Sequence, residues 1–427
     1  MERRKFIKNA SLASSAAVVL PSVPDLFIPS GKEKINKNYI PISKTKKPLA
    51  IAMWDYTWIL RHHQYGEFFD WDRTLEGLAV RGYNAIRMDA MPQFVVSEKD
   101  GKIINEFRSV RKTWEFNPWG NKFSLDFRPR EALLEFLPKC KKYGIKVGLA
   151  TWFHAHGNNR YVHYEKDGLL RAWTETLEFL GENDLLDNII YVDLLNEYPN
   201  WHGYEWLIQE LNQRSDAKKF IQNNPQSNIP DDFQPMENDT RLFVAFYTDF
   251  ANNLIDSLKQ KFPNLDFYTS FDSSVELENI DLARHAALDY HIWFHHNRDF
   301  MALVGDAGRL NLDRDLWADF NKMLSYFNQN KILLINWMEG RISAVAQKAR
   351  ENGHVCGNTE GWGPIFWFDH PDISWDWVKE SAEICIDLAK KHEEYKFICT
   401  SNFTQPQFTG IWDDIKWHKK MTQQIKS

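Results

Sequence analysis

Two carboxylates in this chain stand where an apolar run breaks off. The stretch Ile189 to Pro199 reads Ile-Ile-Tyr-Val-Asp-Leu-Leu-Asn-Glu-Tyr-Pro, a hydrophobic run that stops at an amide, a carboxylate and a proline. A strand buried on both faces reads as continuous hydrophobics, and proline cannot continue its ladder. Asn196 and Glu197 are therefore expected at the C-terminal tip of a buried parallel strand, where barrel enzymes carry their chemistry. An ordinary polar loop start would also explain one such tip. A second segment, His354 to Trp362 (His-Val-Cys-Gly-Asn-Thr-Glu-Gly-Trp), ends the same way and presents Glu360, which suggests a pair. Two carboxylates in one cavity can divide proton donation from anionic work when burial raises the pKa of one and a cation keeps the other charged. Arg87, in the run Asn84-Ala-Ile-Arg-Met-Asp89, is a candidate cation for Glu360; it could instead pair with Asp89 or Asp193 within the barrel.

The elements needed to position such groups follow in alternation. Strand patterns are read at Leu49 to Asp55, Asn84 to Asp89, Lys146 to Trp152, Ile189 onward, Leu265 to Phe271, Ala287 to Trp293, His354 onward and Phe397 to Phe403. Helical spacing separates them, for example from Trp71 with Leu75, Leu78 and Ala79 on one face and Gly82 as its cap. The apolar run Ile332 to Ile335 continues into Ile342, Val345, Ala346 and Ala349 at helical spacing, so it is assigned to a helix rather than a strand. The pattern predicts an α/β fold, a (β/α)8 TIM barrel with long βα-loop insertions. Two insertions stand out. Gln93 to Pro129 has an Asp100-Gly101 hairpin signal and carries Trp114, Phe116 and Trp119; the other is the polar stretch Glu210 to Asp239.

Before the barrel, Met-Glu-Arg-Arg-Lys-Phe-Ile-Lys leads into a small apolar run from Ala10 to Leu20. A basic start, a modest hydrophobic stretch and a polar exit form an export signal rather than a transmembrane helix, and Arg3-Arg4 gives it a twin-arginine character. The expected organisation is a signal over residues 1–31, a lysine-rich linker over 32–47 and a catalytic barrel over 48–427, in a periplasmic or secreted protein. No later stretch is apolar enough to span a membrane. A net charge of −6 gives no basic patch, which argues against a nucleic-acid partner. The four cysteines have no ligand spacing and define neither a disulfide framework nor a zinc site. The informative excess is aromatic: 18 Trp, 15 Tyr and 29 Phe are more than a core of this size needs, and flat rings stack on the apolar faces of sugars, although many must simply pack between barrel and helices.

With Asn196-Glu197 on the fourth strand and Glu360 on the seventh, the chain resembles the large clan of retaining glycoside hydrolases that includes the cellulase-type barrels. It is most similar to bacterial sequences described as sugar-binding cellulase-like proteins. The likeness covers nearly the whole mature chain and includes Ala52-Met-Trp-Asp55, Arg87-Met-Asp89, Thr359-Glu-Gly-Trp362, Thr400-Ser-Asn-Phe403 and Trp412-Asp-Asp. It implies a carbohydrate substrate, no cofactor and no metal. It also implies Glu197 as general acid/base, Glu360 as nucleophile, Asn196 on the sugar 2-hydroxyl, Arg87 holding Glu360 ionised, and His291-Ile-Trp293 beside the nucleophile. The separation, 360 − 197 = 163 residues, is somewhat long for that pattern, and the Glu210 to Asp239 insertion accounts for part of it. Where the clan usually has a Trp at the end of strand eight, this chain has Ser401-Asn402-Phe403, so the stacking surface is expected from Phe403, Trp54, Trp293 or Trp362. Asp55 is placed to contact the sugar or to cap the following turn, and Asn402 lies at the same rim.

Two other readings stay open. His154 and His156 form a His-x-His tip on strand three, and His291, His295 and His296 add ligand-type groups for a metal-dependent hydrolase or isomerase; as polar subsite residues they fit the glycosidase equally well. A barrel that binds sugar without cleaving it would keep both glutamates as hydrogen-bond acceptors. Sugar, linkage and oligomeric state are not encoded in any motif.

Overall fold

The computed structural model describes residues 40–110, 118–121, 124–162, 165, 167–199, 241–273, 275–304, 316–364, 369 and 373–427. The expected export signal, the insertion Glu210 to Asp239, Trp114 and Phe116 lie outside the described residues.

Eight parallel strands form the centre: β1 (Leu49–Asp55), β2 (Ala85–Asp89), β3 (Lys146–Ala150), β4 (Ile189–Asp193), β5 (Phe267–Tyr268), β6 (Leu288–Asp289), β7 (Cys356–Asn358) and β8 (Tyr395–Cys399). Their order in the sheet is β5-β4-β3-β2-β1-β8-β7-β6, and a parallel bridge between Phe271 and Tyr290 joins the two ends. The sheet is thereby closed into the (β/α)8 barrel that the alternation predicts. Around it run α1 (Trp71–Val80), α2 (Pro129–Lys142), α3 (Gly168–Glu182), α4 (Arg241–Lys261), α5 (Arg298–Val304), α6 (Leu316–Glu351), α7 (Asp376–Ala389) and α8 (Ile415–Lys426).

Local chemistry explains the element ends. Asp70 caps α1 by accepting the N–H of Arg73 at 3.0 Å, and Asp414 caps α8 by accepting that of Trp417 at 3.0 Å. Gly82 follows α1 with φ +86°, a conformation that other L residues adopt only under strain. The run around Ile332 is helical, as its spacing predicts. Ile332 and Leu333 are 78% and 53% exposed, so the run is no buried strand. They follow a kink at Asn330 (φ −118°, ψ 19°), whose side-chain amide donates to the Tyr326 carbonyl at 3.0 Å and competes with the helix ladder.

Regular alternation fails between β5 and β6, where the described connection contains only the 3-10 turn Leu277–Asn279. The barrel strands are also shorter than the apolar runs: β5 keeps two residues of the expected Leu265 to Phe271, and β8 ends at Cys399 rather than Phe403. In the long second loop, Asp100-Gly101 forms a tight turn, with Gly101 N–H bonded to the Glu98 carbonyl. The strands that actually pair there are Phe107–Arg108 and Asp126–Phe127, further along.

The floor of the site is aromatic. Tyr191 on β4, Tyr268 on β5 and Phe397 on β8 bring their ring centroids within 5.1 to 6.2 Å of one another. β4 and β8 are not neighbours in the sheet, so these rings meet across the barrel interior. Two glycines make the room. A Cβ on Gly148 of β3 would fall 1.9 Å from Tyr191 Cζ, and one on Gly357 of β7 would fall 2.2 Å from Phe397 Cδ2. Ile42 joins the same cluster, fully buried, from the 3-10 turn Ile42–Lys44, and Ser43 N–H bonds Asp266 Oδ2 at 2.8 Å. Packing against the barrel thus begins inside the stretch expected to be linker.

Candidate active site

Strand periodicity of two lifts polar side chains above that floor. On β2, Ala85 belongs to the floor cluster, Ile86 and Met88 to the outer core, and Arg87 lies fully buried two residues above Ala85. Its guanidinium is the hub. Arg87 Nη1 donates to Glu360 Oε1, Nη2 donates to Asn196 Oδ1, and Nη2 lies 3.4 Å from Asp55 Oδ1. The competing partners are engaged elsewhere: Asp89 accepts the N–H groups of Met91 and Trp152 at 2.7 and 2.9 Å, and Asp193 accepts from Ser270 N–H and Oγ at 2.9 and 2.7 Å. Burial opposes the charge on Arg87, but Asp55, Glu360 and Asp193 together hold its pKa well above the usual value.

Glu197 and Glu360 come together as the sequence predicts, with His291 between them. One ligand-type atom from each of the three lies within 4.8 Å of the other two. His291 Nδ1 is 3.1 Å from Glu197 Oε1 and 3.7 Å from Glu360 Oε1. On its other side, Nε2 lies 3.2 Å from Thr359 Oγ1, which donates to Asp289 Oδ2 at 2.6 Å. Burial works against a charged imidazole, yet Glu360 and Asp289 carry the His291 pKa well above its ordinary value. Burial likewise tends to raise Asp289, and His291, Thr359 and Arg87 more than reverse it. For Glu360 burial wins: the carboxyl is pushed up to about 8 against the pull of Arg87 and His291. Asp55 is also raised by burial, against Arg87 and a long bond from the Trp152 indole N–H at 3.4 Å.

The backbone is strained at two of these acids. Asp55 has φ +40° at a register shift in β1, and Glu197 has φ +50° just past β4. Non-glycine residues adopt that region rarely, and such positions cluster at functional sites.

Other expected site residues divide. Among the described residues, Asn196 Nδ2, Asn402 Oδ1 and Trp293 Nε1 are buried without a hydrogen-bond partner. Asn402 Nδ2 donates to the Pro364 carbonyl at 3.1 Å, tying the tip of β8 to the loop after β7. Trp54 turns away from the site: its ring packs on Phe68 and on Phe136 of α2, and its indole N–H bonds the Thr404 carbonyl at 3.0 Å. Trp362 spends its indole N–H on the Cys399 carbonyl at 2.9 Å, and Phe403 packs between Trp375 and Phe408. The partly exposed aromatic near the acids is instead Trp152 at the tip of β3, stacked on His154 at 5.7 Å. Its position in the run Gly-Leu-Ala-Thr-Trp gave no sign of this, because a terminal tryptophan of an apolar run reads as core. Among the described residues, neither His154 nor His156 joins a group of three ligand-type side chains. Burial lowers His154 to about 3 and His156 well below the usual histidine range.

The model of a family described as sugar-binding cellulase-like matches residues 51–426. The crystal structure of a candidate glycoside hydrolase from Parabacteroides distasonis ATCC 8503 superimposes with a TM-score of 0.72 at 27% identity, over 89% of this chain and 94% of that one. Remoter likenesses include a hyperthermophilic endo-beta-1,4-glucanase in complex with substrate (9% identity, TM-score 0.48, covering 85% and 92%). Another is the endo-1,4-beta-D-mannanase of Thermotoga petrophila RKU-1 (12% identity, TM-score 0.41, covering 83% and 87%). No curated protein matches the chain.

Proposed function

The chain belongs to the sugar-binding cellulase-like family, and from that premise we propose that it is a glycoside hydrolase that cleaves by retaining double displacement through Glu197 and Glu360. The observation that carries the reading is the pair of buried carboxylates with oxygens within 4.8 Å, one bonded to a guanidinium and the other to an imidazole. Retaining enzymes hold their carboxyl groups about 5–5.5 Å apart, and inverting enzymes leave room for a water between them. In the first step Glu360 attacks the anomeric carbon, the bond to the leaving oxygen breaks, and Glu197 gives that oxygen its proton. Glu197 then takes a proton from water, the water oxygen attacks the same carbon, and the bond to Glu360 breaks. His291 Nδ1, 3.1 Å from Glu197 Oε1, holds that carboxyl in place through both steps. Arg87 opposes the burial that raises Glu360 and so favours its ionised form, and Asn196 Nδ2, which has no hydrogen-bond partner among the described residues, is available to the sugar 2-hydroxyl. The twin-arginine-like start directs this activity outside the cytoplasm.

The same three residues, Glu197, His291 and Glu360, have ligand-type atoms close enough to hold a metal ion. Against that second reading, Arg87 donates directly to Glu360, so a cation bound there would face a guanidinium across a single carboxylate. The deciding experiment incubates the protein with activated aryl glycosides and polysaccharides, with and without chelator, alongside Glu197→Gln and Glu360→Gln, and follows the product anomer by NMR. Turnover that survives chelator, keeps the anomeric configuration and is lost in both variants supports the proposal. Inversion, or activity that dies with chelator while Glu360→Gln stays active, overturns it; sugar binding without turnover identifies a binding protein.

A further inference from the structure

Glu197 sits in the left-handed region (φ +50°) just beyond the end of β4, so its neighbours must hold its carboxyl in place. One fully buried residue, Ser270, touches every part of that turn. Its Oγ accepts the Glu197 N–H at 2.9 Å, lies 3.1 Å from Asn196 Oδ1, and its carbonyl accepts the Tyr198 N–H at 2.9 Å. Ser270 is itself fastened from below: Asp193, the last residue of β4, accepts its N–H at 2.9 Å and its hydroxyl proton at 2.7 Å. The two-residue β5 ends at Tyr268, so beyond that point this side-chain staple joins the two tips.

Resting on the reading of Glu197 as acid/base, we propose that Ser270 is a positioning residue for that group, its hydroxyl relaying the fixed position of Asp193 to the strained Glu197 backbone. The hydroxyl has one proton and gives it to Asp193, which leaves its lone pairs facing the Glu197 N–H. Alanine removes the acceptor, and the turn can relax toward an ordinary conformation that carries the carboxyl away from the glycosidic oxygen. A displacement of about 1 Å in such a group costs on the order of a hundredfold in rate.

The test exploits the fact that only poor leaving groups need a proton. Values of kcat/KM are measured for aryl glycosides of the sugar that the wild-type protein turns over, from dinitrophenyl to unsubstituted phenyl. The proteins compared are wild type, Ser270→Ala, Ser270→Thr, Ser270→Cys and Glu197→Ala. Ser270→Ala is expected to lose about tenfold to a hundredfold on phenyl glycosides and far less on dinitrophenyl ones, steepening the leaving-group dependence in the direction of Glu197→Ala. Azide should partly restore kcat on the activated substrate, Ser270→Thr should keep the wild-type slope, and Ser270→Cys, with its weak hydrogen bonding, should fall between. If Ser270→Ala fails to fold, Ser270→Cys carries the same comparison. A uniform loss across leaving groups in the serine variants, with the signature present in Glu197→Ala, overturns the role of Ser270 and leaves the assignment of Glu197 standing. Absence of the signature from Glu197→Ala overturns the acid/base reading, and the inference with it.

Discussion

Replacing Arg87 by methionine tests the hub of the site directly. The guanidinium is fully buried and serves Glu360, Asn196 and Asp55 at once. A unit charge pair about 4 Å apart at an effective dielectric of about 20 interacts by about 4 kcal/mol, which corresponds to roughly three pKa units. Glu360, already pushed up to about 8 by burial, would climb further and stay protonated at neutral pH. The expected result is a loss of about a thousandfold in kcat/KM on an activated aryl glycoside at neutral pH. The acid limb of the pH profile should move up by about two to three units, so that activity partly recovers as pH rises. Arg87→Lys should be intermediate, because one ammonium keeps the charge and cannot reproduce the fork to two partners. Steady-state kinetics across pH, with a thermal melt to certify folding, checks both features. An acid limb that stays where it is in Arg87→Met, under a loss independent of pH, would refute the electrostatic role and leave Arg87 as a packing residue.

In the wild type, the acid limb of kcat/KM should lie well above the ordinary carboxylate range, since the nucleophile works ionised and burial raises Glu360; an acid limb in the ordinary carboxylate range would contradict this. The same shift has a sign for stability. Glu360 is raised from its ordinary 4.5, and Asp89 and Asp193 from 3.8 to about 7 and about 6, so the folded state keeps protons that the unfolded chain releases. The melting temperature should therefore fall as pH climbs from about 4 to 8, and Glu360→Gln should flatten that slope. Gly148→Ala drives a methyl into Tyr191 on the barrel floor and should destabilise by about 1–3 kcal/mol or more in denaturant unfolding; an unchanged midpoint would place the ring elsewhere. Trp54→Phe should cost about 1–2 kcal/mol through its lost bond to Thr404 and thinner packing, while KM stays put; a raised KM would return Trp54 to the substrate.

Some of this protein was legible before any folding. The apolar run ending at Asn196-Glu197 betrays a buried parallel strand and its polar tip, because burial on both faces leaves little alternation, and the shorter segment before Glu360 repeats the polar ending. Arg87 follows for a related reason: a lone arginine among Ala, Ile and Met in a strand needs a buried carboxylate, and the barrel offers Glu360 just beyond β7. The helical spacing that runs from Ile332 to Ala349 was equally readable. Which aromatic faces the acids was not. Trp54 and Trp152 both close apolar runs; Trp54 is turned outward onto Phe68 and Phe136, and Trp152 reaches toward Asp55. Nor could spacing separate His291, held between Glu197, Glu360 and Asp289, from His154 and His156, which burial keeps neutral away from that cluster. Ser270 carried no signal, since a serine's role depends on which backbone N–H lies 2.9 Å from its hydroxyl. Periodicity and strand ends are properties of neighbours along the chain and can be read there. Apart from Asp289 beside His291, the partners of Arg87, His291 and Ser270 lie tens to hundreds of residues away, and only closure of the barrel brings them together.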